Sequence, residues 1–320
     1  MAVEVGLGTR KMKLSVTIVT RERKDDLRAV LLDLRRQTRP ADEILVLDNA
    51  STDSTSEMVK AGFPEARVLR AEENLGCPGG RNVAYREVSG EIIVAVDDDL
   101  ALPPDALAMF EERMAEDPRV GLVFARIVDH RDGSDARWHY GGPLPKSGDG
   151  PRYTWTFVAG ATAARTEALA QAGLYPDDYV RQCEEFDLSY RLLQHGWRIL
   201  YDPGIVCPHK ASPLARFPPQ IAFLQTRNDL WTCWRNLPWQ SAIAYTLWKS
   251  VRYPFAFSRR GLLLASLRGA AAAVWSLPRV LPTRSPISHS TWRLVRHLKQ
   301  HAVFSAEEMA QLEASVRSSR

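Results

Sequence analysis

The chain has 320 residues, 45% of them hydrophobic, and a formal net charge of +4 at pH 7. This composition excludes a disordered chain and indicates a globular protein, built as one large domain with an appendage or as two domains. Four distant cysteines without a CxxC pair match neither a disulfide framework nor a zinc site, so a reducing compartment fits best. The N-terminal residues contain no long apolar run, and we therefore expect no signal peptide and a cytoplasmic protein.

Strand-like and helix-like segments alternate along the first part of the chain. Apolar, β-branched runs predict strands, and amphipathic periodicity predicts helices. The predicted strands are residues 14–20, 43–49, 67–71 and 91–97, and the predicted helices are residues 24–37, 54–62, 80–88 and 105–117. Continuous apolar strands that alternate with helices are typical of a parallel sheet covered on both faces, so we predict an α/β, doubly wound fold.

Three adjacent carboxylates, Asp97, Asp98 and Asp99, end the apolar strand "EIIVAVD". Like charges at the end of a buried strand are costly unless a cation or strong hydrogen-bond donors meet them. A bound cation is one explanation, and an acidic turn before the next helix is the other. Ligands of such sheets bind beyond the carboxyl ends of the strands. The polar residues expected at that edge are Thr20, Arg21, Asp48, Asn49 and the aspartate triplet.

Two further stretches near this edge suggest a nucleotide site. Asp48 ends a strand in "ILVLDNASTDST", and its carboxylate can accept a hydrogen bond from a pyrimidine N–H, although helix capping by Ser51 or Asp53 explains part of this polarity. In "ENLGCPGGRNVA" the glycines allow close backbone approach, and Arg81 opens a helix near the same edge. Neither GxGxxG nor GxxxxGK[ST] occurs, which disfavours a dinucleotide or P-loop site.

The second part of the sequence is predicted to contain strands at 120–128 and 153–160, a polar loop between them, and a helix at 183–196. Within that helix, Asp187 and Arg191 have the i,i+4 spacing of a local ion pair, which is the interpretation we favour for them. Glu185 lies on a neighbouring face. His209 follows "YDPGIVCP" and is interpreted either as a surface histidine or as a ligand.

Residues 210–320 differ from the rest of the chain in charge and composition. They contain 16 Lys+Arg against 4 Asp+Glu, and six of the nine tryptophans. Their longest uncharged run, residues 269–278, is shorter than the roughly 20 residues that span a bilayer. Basic and aromatic residues suit an anionic membrane surface or nucleic acid. Long apolar helical stretches favour the membrane, and we expect no nucleic-acid partner.

These stretches together resemble the family 2 glycosyltransferases of GT-A fold, especially the rhamnosyltransferase-like branch. The resemblance covers about residues 13–235 and rests on the order and spacing of several motifs. They are "SVTIVTRERKDDLRAVLLDLRRQTRPADEILVLDNASTDST", "NLGCPGGRNVA", "VDDDL", "EEFDLSYRLLQHGWRILYDPGIVCPHK" and "RNDL". The aspartate triplet is similar to the DxD motif, in which a divalent cation bridges a carboxylate and the diphosphate of a nucleotide sugar.

The resemblance implies a role for each matching position. It implies nucleotide contacts for Thr20, Arg21, Asp48 and Arg81, contacts with the ribose and donor sugar for Asp97 and Asp98, and a Mg²⁺ or Mn²⁺ site at Asp99 and His209. Glu184-Glu185 stands where the family has Glu-Asp, so Glu185 takes the position of the catalytic base on a longer side chain. The stretch "TRERKDD" also departs from the family, because it lacks the common Tyr-Asn after Thr20.

The expected activity is an inverting, metal-dependent transfer from a UDP- or TDP-sugar to a hydroxyl of a lipid-linked or cell-envelope glycan. A soluble small-molecule acceptor remains an alternative. A sugar nucleotidyltransferase ranks lower because "TIVTRERKDDL" contains no glycine, and a non-catalytic membrane binder needs no base beside a metal site. We expect a GT-A catalytic domain at 1–209, with a nucleotide-sugar half at about 13–119 and an acceptor half at about 120–209. Residues 210–320 would form a helical region that is peripheral on the inner face of the cell membrane.

Overall fold

The computed structural model describes residues 11–135, 150–210 and 218–318. Its first part follows the predicted alternation of strands and helices. The elements are β1 Leu14–Thr20, α1 Lys24–Arg35, β2 Glu43–Asp48, α2 Thr55–Gly62, β3 Ala66–Arg70, α3 Gly76–Arg86, β4 Ile92–Asp97 and α4 Ala106–Glu116. The main difference from the sequence prediction is that α3 begins four residues earlier, inside the glycine-rich stretch.

The second part contains two strands that the sequence prediction missed and one that it misplaced. The elements are β5 Val120–Asp129, β6 Arg152–Thr154, β7 Ala161–Arg165, α5 Thr166–Ala172, α6 Glu184–Gln194 and β8 Arg198–His209. The strand predicted at 153–160 was wrong for most of its length. The true strand β7, "ATAAR", has little intrinsic β propensity and forms because β4 and β5 enclose it. Part of the predicted polar loop lies outside the described residues.

The strands form one eight-stranded sheet in the order β3-β2-β1-β4-β7-β5-β8-β6. Strands β1 to β4 are mutually parallel where they pair, β5 pairs in parallel with β8, and only β6 and β7 run against their neighbours. The predicted α/β, mostly parallel fold is therefore confirmed. The carboxyl ends of β1, β2, β4 and β8 meet at one edge, as expected for parallel strands.

The central strands are buried and paired on both sides next to this edge. Every residue of β1 from Leu14 to Ile18 is buried, and Ile18 pairs with Val46 of β2 and Val96 of β4. Strands buried on both faces carry continuous apolar runs, which is the pattern in the sequence. The polar residues that follow these strands are therefore held by a packed core.

Six helices follow the sheet in the described part of the chain. They are α7 Pro218–Asn236, α8 Trp239–Ser258, α9 Leu263–Trp275, α10 Leu277–Val280, α11 His289–Leu298 and α12 Ala306–Ser318. Helices α7 and α9 approach closely at Gly269, where a Cβ would lie 2.4 Å from the carbonyl oxygen of Phe223. In α12, Glu313 pairs with Arg198 of β8 at 2.9 Å. The C-terminal helices therefore pack against the sheet.

Among the described residues, no helix is both long enough and apolar enough to cross a membrane.

Candidate active site

The aspartate triplet lies at the carboxyl end of β4, and each of its side chains has a charged partner. Asp97 accepts a hydrogen bond from Arg81 at 2.6 Å. Arg81 is buried in α3 and also donates to the carbonyl oxygen of Ala159 at 3.1 Å. The side chain of Asp97 is 36% exposed. The structure thus brings together two residues that the sequence analysis assigned to donor binding, with the Asp97 carboxylate accessible to a ligand.

Arg23, at the end of the loop before α1, supplies a cation that the sequence analysis did not identify. Its guanidinium pairs with Asp98 at 3.1 Å and with Asp99, and Thr20 donates to Asp98 at 2.7 Å. Burial raises the pKa of Asp98 to about 7, against the opposing effect of Arg23 and Thr20. The sequence signals this contact only by the positive charge of Arg23, three residues after Thr20. Local patterns do not reveal the partner, because Arg23 and Asp98 are 75 residues apart.

His209, at the end of β8, faces Asp99. Its Nε2 lies 3.2 Å from a carboxylate oxygen of Asp99, and backbone hydrogen bonds of 2.8 Å join Lys210 to Asp99 and Ala101 to Pro208. Burial opposes ionisation of Asp99, but the hydrogen bond with His209 and the charge of Arg23 outweigh it and lower the pKa of Asp99. The two residues that the resemblance assigned to a metal are therefore neighbours, and Asp99 is held ionised.

A cavity of about 210 Å³ opens between this edge of the sheet and the N-terminus of α6. Its lining includes the charged residues Arg81, Asp97, Arg181, Glu184, Glu185 and His209. The structure thus places residues from α3, β4, α6 and β8 around one space. Both glutamates of the Glu184-Glu185 pair face a cavity that also contains Asp97.

The two glutamates have different surroundings. Glu184 is buried, and among the described residues its Oε2 has no hydrogen-bond partner. Burial, with the negative charge of Glu185 second, raises the pKa of Glu184 to about 8. Glu185 is half-buried; burial also raises its pKa, whereas the backbone of Ala159 and the charge of Arg81 oppose the shift. Glu184 therefore retains its proton up to about pH 8, and Glu185 is the more accessible carboxylate.

The expected ion pair farther along α6 is confirmed. Arg191 donates to Asp187 at 2.8 Å and also to the carbonyl oxygen of Leu174. Asp187 is buried, and its other oxygen accepts a hydrogen bond from Asn236. These contacts give Asp187 a structural role, as the partner of Arg191 and Asn236.

Besides Thr20, which contacts Asp98 and does not line the cavity, two residues assigned to nucleotide binding lie apart from it. Asp48 is fully buried at the end of β2, where it accepts hydrogen bonds from the Ser51 N–H at 2.8 Å, from the Ser56 hydroxyl and from Arg70 at 3.2 Å. Arg21 is exposed after β1. Neither is among the described residues that line the cavity, so the structure does not bring them together with the glutamates.

A sequence profile described as "Glycosyl transferase family 2" matches residues 15–172, which include β1 to β7 and the aspartate triplet. Residues 15–172 belong to this family. The activity of the protein is therefore that of a glycosyltransferase, and the resemblance noted in the sequence is confirmed.

Curated relatives of this glycosyltransferase include enzymes of bacterial origin. An N-acetylglucosaminyl-diphospho-decaprenol L-rhamnosyltransferase of Mycobacterium tuberculosis is 24% identical over 73% of this chain and 89% of that protein. The uncharacterized glycosyltransferase YfnE of Bacillus subtilis is 37% identical over 63% of this chain and 66% of that protein. The chain spans only 37% of an uncharacterized glycosyltransferase of Haemophilus influenzae, which is 26% identical.

Solved glycosyltransferase structures share the fold. Staphylococcus aureus TarS in complex with UDP-GlcNAc superposes with a TM-score of 0.60 and 17% identity, over 96% of this chain and 91% of that one. The mannosyltransferase PcManGT from Pyrobaculum calidifontis, in complex with GDP-Man and Mn²⁺, gives a TM-score of 0.55 and 22% identity over 97% and 86%. These likenesses confirm the GT-A fold predicted from the sequence.

Proposed function

We propose that this glycosyltransferase transfers a sugar from a UDP- or TDP-sugar to a hydroxyl acceptor in one inverting displacement. The observation that carries the proposal is the cavity in which Glu185 and Asp97 share one space with Arg81 and His209. A carboxylate base, a cation and a sheet edge that binds ligands are the parts that such a transfer needs. The relatives that bind UDP-GlcNAc or GDP-Man support a nucleotide-sugar donor.

The donor is proposed to lie along the carboxyl ends of β1, β2 and β4. Thr20, Arg21 and Asp48 stand on the nucleotide side of this edge. Arg81 and the aspartates stand toward the cavity, where Asp97 and Asp98 would face the ribose and the donor sugar. Because Arg81 is fixed by Asp97 and by Ala159, its charge is already oriented when the donor arrives.

Asp99 and His209 are proposed to hold Mg²⁺ or Mn²⁺. A carboxylate oxygen and an imidazole nitrogen 3.2 Å apart suit such a cation, particularly Mn²⁺, and the phosphate oxygens of the donor would complete its coordination. The described residues contain no cluster of three or more candidate ligands, so those phosphates would strengthen the binding of the cation. When bound, the cation supplies positive charge that neutralises the leaving diphosphate.

Glu185 is proposed to be the general base. Its carboxylate takes the proton of the acceptor hydroxyl while that oxygen forms a bond to the anomeric carbon, and the nucleoside diphosphate leaves from the opposite face. The half-buried position of Glu185 in the cavity supports this role. Glu184, whose pKa is raised to about 8, keeps its proton near neutral pH and so is poorly suited to accept the proton of the acceptor hydroxyl there.

The acceptor is proposed to be a lipid-linked or cell-envelope glycan at an anionic membrane. Helices α8 and α9 expose a stripe of large apolar side chains, here called the α8–α9 surface. Its members are Trp239, Ile243, Leu247, Trp248, Val251, Phe255, Leu263, Leu264, Leu267, Val274 and Trp275. Arg252 of α8 and Arg268 of α9 are exposed, as are Arg259 and Arg260 in the turn that joins the two helices. The relative named for a decaprenol-linked acceptor supports the same class of substrate.

A pair of isosteric substitutions tests the base. With UDP- and TDP-sugars screened for thermal stabilisation in the presence of MnCl₂, we expect Glu185→Gln to bind the stabilising donor as the unmodified protein does. Its kcat should fall by roughly 10²–10⁴, the range for a lost general base. Glu184→Gln is the matched control and should lose much less. The reverse order of effects would place the base at Glu184, and stabilisation by none of these donors would contradict the donor class.

A further inference from the structure

The loop that enters α6 has an unusual backbone. Gln182 and Cys183 both have left-handed conformations, with φ of 74° and 67°. Two consecutive residues with side chains rarely adopt this region, because the Cβ clashes with the following backbone. The turn stands directly before Glu184, and Arg181, Gln182, Glu184 and Glu185 line the cavity. The surroundings must therefore hold a strained turn on which the direction of the glutamate pair depends.

One buried side chain binds this turn from outside the cavity. Asn228 in α7 is fully buried, and its Nδ2 donates to the carbonyl oxygens of Arg181 at 2.8 Å and Gln182 at 2.9 Å. Both amide protons are thus used on consecutive residues of the turn. The Oδ1 of Asn228 accepts a hydrogen bond from Arg227 at 2.9 Å, which fixes the orientation of the amide.

The same helix holds the next residue of the turn. Gln225 lies one helical turn before Asn228 and donates to the Cys183 sulfur at 3.0 Å. The Tyr179 hydroxyl donates to the backbone carbonyl of Asn228 at 3.0 Å. Helix α7 therefore contacts both sides of the strained segment. Asn228 is not among the described residues that line the cavity, so it acts on the glutamates only through the turn.

We propose that Asn228 is a positioning residue of this glycosyltransferase, which holds the left-handed Gln182–Cys183 turn and so directs the Glu184-Glu185 pair into the cavity. The effect on the turn stands on the hydrogen bonds alone. The effect on catalysis rests on the function proposed above for Glu185.

The state of the turn can be measured without any sugar transfer. Cys183 also lines the cavity but is buried, and burial raises the pKa of its thiol, so iodoacetamide should react with it slowly until the turn opens. We expect Asn228→Ala to raise the rate of Cys183 alkylation by about tenfold or more, measured by labelling the folded protein and then quantifying each cysteine-containing peptide by mass spectrometry. Cys207, buried in β8, is the internal reference and should remain unlabelled.

Asn236→Ala is the matched control, because Asn236 is also a buried asparagine of α7 but donates to Asp187, beyond the turn. It should leave the Cys183 labelling rate unchanged. Equal acceleration by both variants would show general loosening and overturn the proposal, as would a labelling rate in Asn228→Ala equal to that of the unmodified protein. If Asn228→Ala does not fold, Asn228→Ser, which keeps one donor, should give a smaller acceleration in the same direction.

A second substitution separates positioning from overall stability. Glycine adopts positive φ without strain, so Gln182→Gly should reduce the dependence of the turn on Asn228. We expect the acceleration caused by Asn228→Ala to be several-fold smaller in the Gln182→Gly background. An unchanged acceleration would overturn the proposal.

The catalytic consequence is a fall of about tenfold in kcat for Asn228→Ala, with the KM for the donor within about twofold, because the base and not the donor site has moved. An unchanged kcat with accelerated labelling would overturn the catalytic half of the proposal. If no nucleotide sugar supports turnover even in the unmodified protein, the proposed function fails while the labelling results still decide the role of Asn228.

Discussion

A raised carboxyl pKa makes Glu184 a source of pH-dependent instability. Its pKa in the folded protein is about 8, above the ordinary value of 4.5, because burial and the charge of Glu185 disfavour ionisation. Between these two values the folded protein holds a proton that the unfolded chain has released. The contribution of this group to the free energy of unfolding therefore falls as the pH rises from about 4.5 to about 8.

We expect Glu184→Gln to remove that contribution. The variant should unfold at nearly the same temperature as the unmodified protein at about pH 5, and at a temperature higher by a few degrees at about pH 9. Glu112→Gln, which removes an exposed carboxylate of α4, controls for the change of net charge. Thermal unfolding across this pH range provides the measurement, and a constant difference between the proteins at all pH values would contradict the assignment.

Arg23 acts at the same scale on the proposed metal site. Its guanidinium occupies oxygens of Asp98 and Asp99, and two opposite charges at about 4 Å attract by about 4 kcal/mol at an effective dielectric constant of 20. Removing this competitor should let a cation bind the carboxylates more tightly in the absence of a donor. We expect Arg23→Gln to lower the Kd for Mn²⁺ by about tenfold, measured by titration calorimetry at about pH 8.

Two controls accompany the titration. Arg21→Gln removes an exposed positive charge on the same loop and should change the Kd far less. Asp99→Asn should abolish binding with or without Arg23. Equal Mn²⁺ affinity in Arg23→Gln and the unmodified protein would show that the guanidinium does not compete for this site.

At the scale of elements, α7, α8 and α11 meet around two lysines with opposite environments. Lys249 of α8 donates to buried Asp229 of α7 at 2.6 Å. Lys299, which follows α11, lies within 6 Å of four aromatic ring centroids, those of Trp155, Tyr190, Tyr245 and Trp292. Burial, with the charge of Lys249 second, lowers the pKa of Lys299 to about 8. Lys249 thus neutralises a buried carboxylate, whereas burial disfavours the charged form of Lys299.

Methionine, which matches the length of lysine without its charge, should separate the two roles. At about pH 7 we expect Lys299→Met to maintain or raise the unfolding temperature. Lys249→Met should lower the free energy of unfolding by about 3–5 kcal/mol because it leaves Asp229 buried and unpaired. The unmodified protein should gain stability from Lys299 as the pH rises from about 8 to about 10.5, since the folded state loses that proton first. Urea unfolding measures the free energy of unfolding of both variants. A larger loss of stability in Lys299→Met than in Lys249→Met would contradict the two roles.

At the scale of the whole molecule, exposed apolar area is concentrated in one place. Twelve of the 15 exposed large hydrophobic residues in the described chain lie between Trp239 and Leu281. On α8, residues Ile243, Leu247 and Val251 recur every four positions and so form one stripe. Contiguous exposed apolar patches mark interaction surfaces, and the arginines of the same helices complement an anionic bilayer, at about 1 kcal/mol for each engaged charge.

We expect the protein to float with phosphatidylserine vesicles at low salt and to float less as salt is added. The double variant Leu247→Gln/Val251→Gln should remain at the bottom of the gradient because it interrupts the stripe. Leu32→Gln, at an exposed position of α1, is the matched control and should float. Point variants are preferable to removal of the C-terminal region, since Leu237 and Val295 belong to the main hydrophobic core. Absence of flotation by the unmodified protein would favour a soluble acceptor.

The local pattern of the sequence determined most of the fold and part of the site. Continuous apolar runs in β1, β2 and β4 required burial on both faces, and burial of this kind in alternation with helices specifies a parallel sheet. Once the sheet was parallel, Thr20, Asp48 and Asp97 had to lie at one edge. The ion pair of Asp187 and Arg191 was equally local, because i,i+4 spacing on a helix makes neighbours of them.

The tertiary structure decided which distant groups meet. Nothing in the local pattern of "ATAAR" marks it as a strand between β4 and β5, because its strand conformation comes from those neighbours. The contact of Arg23 with the aspartates, and that of Asn228 with the turn before α6, join segments about 75 and 46 residues apart. Side-chain hydrogen bonds over such separations depend on the order of strands and the packing of helices, which no short stretch of sequence contains.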